Sequence, residues 1–250
     1  MGTDSPSVPV TIADALPNLR TGRLARGDDL SNNRPAKHLI DERRAYSREH
    51  ASAIMRGRLS GQPDERHRAL SRRISGARAV AQELWELVAH RPVWRVLHSI
   101  RMEPLADSGL RPPTDSLQRP TTGSLQRPSP AWTQRTDAVE LDQLVIGPSG
   151  VYTIQSVYRP AHDITADTAL YAAARTQQIL DRATRVPVTV QPLIVFVRTD
   201  QPRVEGPRDG VEVLTADELV PWLESRQPML TERELEIVHL AARDHRTWAA

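Results

Sequence analysis

Residues 140–157 restrict the fold of this chain more than any other stretch. Glu140-Leu141-Asp142-Gln143-Leu144-Val145-Ile146 reads as a strand, Gly147-Pro148-Ser149-Gly150 carries turn chemistry, and Val151-Tyr152-Thr153-Ile154-Gln155-Ser156-Val157 resumes the strand pattern. Proline presets φ at a turn's first central position and glycine accepts a positive φ, so the spacing predicts a hairpin. A helical period follows over 165–184, with Ala169, Ala172, Ala173, Ile179, Leu180 and Ala183 on one side. Next comes a nearly unbroken apolar run from Val186 to Val197, the pattern of a strand covered on both faces. Such a strand needs helices above and below it, which predicts one layered α/β domain.

The flanking segments extend that order. Leu70, Ile74, Ala77, Leu84 and Leu87 recur at helical spacing within 64–90, Arg91-Pro92 ends the helix, and 93–100 alternates as a strand. After the apolar run come a short strand at Val211 to Leu214, a helix capped by Thr215, and a last helix opened by Thr231 in a capping box with Glu234. The expected order is α-β-(insertion)-β-β-α-β-β-α-α. Residues 103–136 form the insertion, where Ser116-Leu117-Gln118-Arg119-Pro120 recurs as Ser124-Leu125-Gln126-Arg127-Pro128. Two short copies cannot stack into a solenoid, so a flexible segment is expected. Residues 1–38 read as a disordered basic tail, 39–75 as an arginine-rich helical extension, and 76–250 as the domain.

Charge separates these parts. The chain has 33 Lys and Arg against 31 Asp and Glu, yet residues 1–75 hold 14 basic and 9 acidic side chains. Arg43, Arg44, Arg48, Arg56 and Arg58 are therefore candidates for contacting DNA or RNA phosphates, with a solvated helix as the alternative. No cysteine is present, which excludes disulfides, thiolate metal sites and cysteine nucleophiles. His239 and His245, six residues apart, suit surface positions better than joint chelation. No apolar run is long enough to span a bilayer and the start lacks a signal-peptide pattern, so a soluble, cytoplasmic protein without a membrane partner is expected.

One further count bears on mechanism: Lys37 is the only lysine. The hairpin segment Glu140 to Val157 resembles the core of the nuclease-related domain (NERD) family, roughly (E/D)-(I/L)-D-H-(L/V)-V-(I/V)-G-P-x-G-(V/I)-(F/Y)-x-(I/V)-(E/D)-x-K. Trp94-Arg95-Val96-Leu97-His98 upstream and Gly210-Val211-Glu212-Val213-Leu214 downstream add to the likeness, which covers about 76–250 apart from the insertion. It implies an α/β restriction-endonuclease-like α-β-β-β-α-β core, with additional C-terminal helices and an N-terminal helical extension. It also implies the PD-(D/E)xK site, in which two acids hold Mg²⁺ or Mn²⁺ and a lysine on the same strand face assists an activated water.

By that resemblance the catalytic positions are Asp142, Gln155 and Val157. Only Asp142 keeps the family residue: Gln155 replaces the second acid and Val157 the lysine. The acid of the opening helix falls near Ala79-Val80, with Glu83 a nearby alternative. Asp142 and Glu140 are the candidate metal ligands, Arg159 or Arg175 the candidate substitute cations, and Asp142 alternatively a polar residue near a strand start. Since Lys37 lies in the expected tail, no lysine can replace the lost one. The expectation is a degenerate nuclease scaffold, without a cofactor, that binds nucleic acid or an unknown protein partner. The alternatives are a metal-dependent nuclease rebuilt around Asp142 and a purely structural protein.

Overall fold

The computed structural model describes residues 24–25, 27–62, 64–103, 139–158, 166–199 and 209–249. It is a mixed α/β fold with one five-stranded sheet. We number its elements α1 (Lys37–Glu49), α2 (Ala51–Leu59), α3 (Glu65–His90), β1 (Arg95–Met102), β2 (Val139–Gly147), β3 (Gly150–Tyr158), α4 (Ala166–Ala183), β4 (Val190–Val197), β5 (Glu212–Thr215), α5 (Ala216–Ser225) and α6 (Glu232–Arg243). From α3 onward they follow the order expected from the sequence. The repeat-bearing stretch from residue 104 onward and Arg159 lie outside the described residues.

Strand order in the sheet is sequential, β1-β2-β3-β4-β5. β1, β2 and β3 form an antiparallel meander, and β4 then joins β3, and β5 joins β4, in parallel. The parallel step from β3 to β4 requires a crossover, which α4 supplies. Helices α3 and α5 cover one face through Val80, Leu84, Leu219 and Leu223, packed with Tyr152, Ile154, Leu193 and Val195. On the other face, α4 and α6 bury Leu180, Leu235 and Val238 against Leu97, Leu144 and Ile146. Hence the run from Leu193 to Val197 is buried throughout.

Gly147 has a role beyond the turn. A Cβ there would fall 2.1 Å from Trp94 Cε3, so only glycine lets the buried Trp94 ring lie on the end of β2. Gly150, at φ +133°, supplies the backbone freedom of the turn itself.

The expected tail is shorter than residues 1–38. From Gly27 the chain packs onto the domain: Leu30 is buried in the core on the α4 side, and Asp29 bridges to Asp244. Asn33 Nδ2 donates to the carbonyls of His98 and Ser99, and the Lys37 N–H donates to Ser99 Oγ at 2.8 Å. These bonds satisfy β1 where Ser99 takes φ +53°, a strained value for a non-glycine residue. An apolar leucine and an amide matched to exposed strand carbonyls explain why this polar-looking stretch is ordered.

Nor is the extension a separate unit. Helix α3 runs unbroken across residues 75 and 76, and Leu39 of α1 packs with Leu70, Ile74 and Ala77 of α3. Within the helical extension expected over 39–75, α1 and α2 are parted at His50, whose ring stacks on Tyr46 with centroids 4.2 Å apart. Tyr46 in turn donates to Asp64, the N-cap of α3, at 2.9 Å. His239 is half-buried rather than superficial, because α6 turns its Nδ1 toward the domain; burial holds its pKa at about 4.

Candidate functional site

Strands β2 and β3 pair from Gly147–Gly150 up to Gln143–Ile154, and there the ladder stops. Asp142 is the next residue of β2. Its Oδ2 accepts the Ser156 N–H at 2.8 Å, so a carboxylate takes the place of a ladder carbonyl where the strands part. Gln143 braces the same fork from the other side: its Nε2 donates to the Ala77 carbonyl at 2.8 Å and its Oε1 accepts from Ser156 Oγ at 3.1 Å. Helix α3 comes this close because Gly76 has no side chain; a Cβ there would lie 3.3 Å from Tyr158 Cβ.

The groups around Asp142 differ from those of a metal site. Glu140 Oε2 lies 3.0 Å from Nε2 of His38, which is carried by α1. Arg73 of α3 and Arg101 of β1 act electrostatically on Glu140 and His38, and Arg73 also on Asp142. Burial raises the pKa of Asp142 and of Glu140, against the pull of these guanidiniums and, for Asp142, of the Ser156 bonds. Burial also lowers the pKa of His38, against the pull of Asp142, so its imidazole is neutral at neutral pH.

The motif positions do not assemble a magnesium centre. Asp142 commits one oxygen to Ser156, Glu140 faces His38, and Gln155 is neutral. Among the described residues no group of three His, Asp or Glu side chains is placed to hold a metal ion. Mg²⁺ and Mn²⁺, which ask for several convergent oxygens, do not fit this set. Val157 is 1 % exposed and packs with Ala166, Ala169, Ile194 and Phe196, so the position that would carry the lysine is part of the core under α4.

The possible substitutes lie elsewhere. Glu83 has its charged neighbours in Glu86 and in Asp217 of α5, not at the fork. Arg175 is buried on α4 and donates to Gln178. Lys37 is not in a free tail as expected; it adjoins the site residue His38, but its exposed Nζ donates to Asn33 Oδ1 at 3.2 Å. Sequence reading missed His38, Arg73 and Arg101. The only signal for His38 and Arg73 was a polar residue beside an apolar helical stripe, and for Arg101 a polar residue near the end of a strand, which many surface residues share.

Two concave surfaces flank this cluster. One is a cleft of about 330 Å³ between β2, β3 and α4, lined by Arg73, Glu140, Thr153, Gln155, Ala169 and Tyr171 among others. Among the described residues, Thr153 Oγ1 and Gln155 Oε1 are buried there without a hydrogen-bond partner. The other is an open groove of about 760 Å³ between α1, α2 and the start of α3, which brings together Arg43, Arg44, Arg48, Arg58 and His67 with Asp41. Four of the five arginines singled out in the sequence therefore share one groove; Arg56 does not line it. Arg44 lies 3.7 Å from Asp41, an exposed pair of little energetic weight. No helix among the described residues is long and apolar enough to cross a membrane. Comparison with known proteins finds no matching family model, curated protein or solved structure.

Proposed function

We propose that this chain is a catalytically degenerate relative of the nuclease-related domain, which binds nucleic acid through the α1–α2–α3 groove and does not hydrolyse it. The observation that carries the reading is the convergence of Arg43, Arg44, Arg48 and Arg58 on one open surface. Guanidiniums are always charged and donate in a fixed fork, which suits phosphate oxygens. Support for the scaffold comes from the order α3-β1-β2-β3-α4-β4, an antiparallel meander followed by a parallel crossover, which fits a restriction-endonuclease-like core.

The site chemistry argues for binding without cleavage. Phosphodiester hydrolysis of the family type needs a divalent cation that activates water and neutralises charge on the phosphate. Here Gln155 replaces an acid that would hold it, Glu140 faces His38 instead, and Val157 replaces the lysine that would assist the water. The experiment is incubation of the full chain with end-labelled DNA and RNA, with and without Mg²⁺ or Mn²⁺. Retention of intact strands that weakens as salt rises is expected. Metal-dependent shortening of the strands, abolished by Asp142→Ala, would reject the non-catalytic reading, and a failure to bind either nucleic acid at low salt would leave a protein partner as the ligand to seek.

A further inference from the structure

We infer that the cleft beside the β2–β3 fork seats a single unpaired nucleobase, with the adjoining phosphate at Arg73. The inference rests on the nucleic-acid reading above and adds a second contact region to it. Its first ground is the lining. Leu141, Ala169, Ala172 and Tyr171 give apolar walls, while Thr153 and Gln155 place polar atoms among them. Buried polar atoms without partners are costly. Thr153 is 3 % exposed, and among the described residues neither its hydroxyl nor Gln155 Oε1 has a partner. An uncharged hydroxyl and an amide oxygen between apolar walls call for a flat ligand with hydrogen-bonding edges and apolar faces. A base meets that description; a bare inorganic anion does not.

The second ground is the rim. Arg73 is exposed, and within the described structure it makes no ion pair or hydrogen bond, although Glu140 and Asp142 are its electrostatic neighbours. Among the described residues it is the one cation of the cleft lining. Arg73 lies six residues beyond His67 of the basic groove on the same helix, a rise of about 9 Å, and Ser71 between them accepts from Arg43 at 3.4 Å. A strand held by its phosphates in the groove thus has a guanidinium waiting at the cleft mouth. A base stacked within a duplex cannot enter such a pocket without leaving the stack, so the cleft selects unpaired nucleotides.

Fluorescence anisotropy on the full chain tests this with three probes of equal length: a single-stranded DNA of mixed sequence, the same strand with abasic sugars throughout, and the duplex. The base-bearing single strand is expected to bind roughly tenfold more tightly than the abasic one. Replacing Thr153→Val together with Gln155→Met should bring it down to the abasic level and leave abasic binding unchanged, with melting temperature reporting that the variant folds. Ala172→Leu, which fills the cleft without touching either polar group, should do the same. Equal affinity for base-bearing and abasic strands overturns the base pocket and leaves the groove reading intact. No binding of any probe at low salt overturns both.

Discussion

At the scale of single residues, Asp142 is a structural acceptor. Its carboxylate replaces a ladder carbonyl for the Ser156 N–H, so the two obvious substitutions should separate. Asp142→Ala leaves a buried N–H without a partner and should cost about 1–3 kcal/mol; Asp142→Asn keeps a carbonyl oxygen in place and should cost much less, as urea denaturation would show. A metal ligand would predict instead that both lose a function. Val157 makes a complementary case. Restoring the family lysine with Val157→Lys would bury an unpaired ammonium among Ala169, Ile194 and Phe196, at about 3 kcal/mol or more, and it should unfold the protein at lower urea without creating cleavage. The hairpin positions of both residues were legible in the sequence because alternation and a Gly-Pro-Ser-Gly turn fix which residues face which layer. Their surroundings were not legible: His38 reaches Glu140 from about a hundred residues upstream, and no local pattern encodes a contact of that separation.

At the scale of elements, the fork between β2 and β3 is held from three directions: by Asp142 on Ser156, by Gln143 on α3, and by the N-terminal segment on β1 opposite. Asn33 and Lys37 hydrogen-bond at Ser99, between the register pairs His98–Gln143 and Ile100–Leu141 that bracket Asp142. This is why residues 27–38 are structural although their composition resembles a linker; a few specific bonds and one buried leucine offset a polar sequence. At the other end of β2, Trp94 lies against Gly147. A Cβ 2.1 Å from its ring cannot be absorbed without moving the tryptophan or the strand. Gly147→Ala should therefore cost about 1–3 kcal/mol, the range for overpacking, and should alter near-ultraviolet circular dichroism while Gly27→Ala, in open space and without a positive φ, leaves the aromatic signal alone. The sequence assigned Gly147 to the turn, and only the packing of a residue fifty positions away explains it fully.

At the scale of the whole molecule, the charge pattern has a consequence in acid and another in salt. His98 and His239 are both half-buried with an enclosed Nδ1, and desolvation holds their pKa values at about 4 against the ordinary 6.5. Between these values the unfolded chain binds protons that the native state refuses, so their contribution to stability falls as pH drops from about 6.5 to 4. Asp142 and Glu140, whose pKa values are raised by burial, work in the opposite sense, because the native state holds their protons more readily. A His239→Leu variant separates the two: wild type should lose stability relative to it by up to about 1.4 kcal/mol per pH unit across that window, and parallel pH profiles for the two proteins would reject the assignment. Salt addresses the central claim, that the arginine groove binds nucleic acid. The measurement is the dissociation constant for a labelled single-stranded DNA over a series of salt concentrations, for wild type and for Arg44→Gln, Arg48→Gln, Arg58→Gln combined. Log affinity should fall linearly with log salt, with a slope smaller by about 2 in the variant, since each lost phosphate contact removes about 0.7. Affinity that ignores salt, or a slope unchanged when the three arginines are gone, would contradict it.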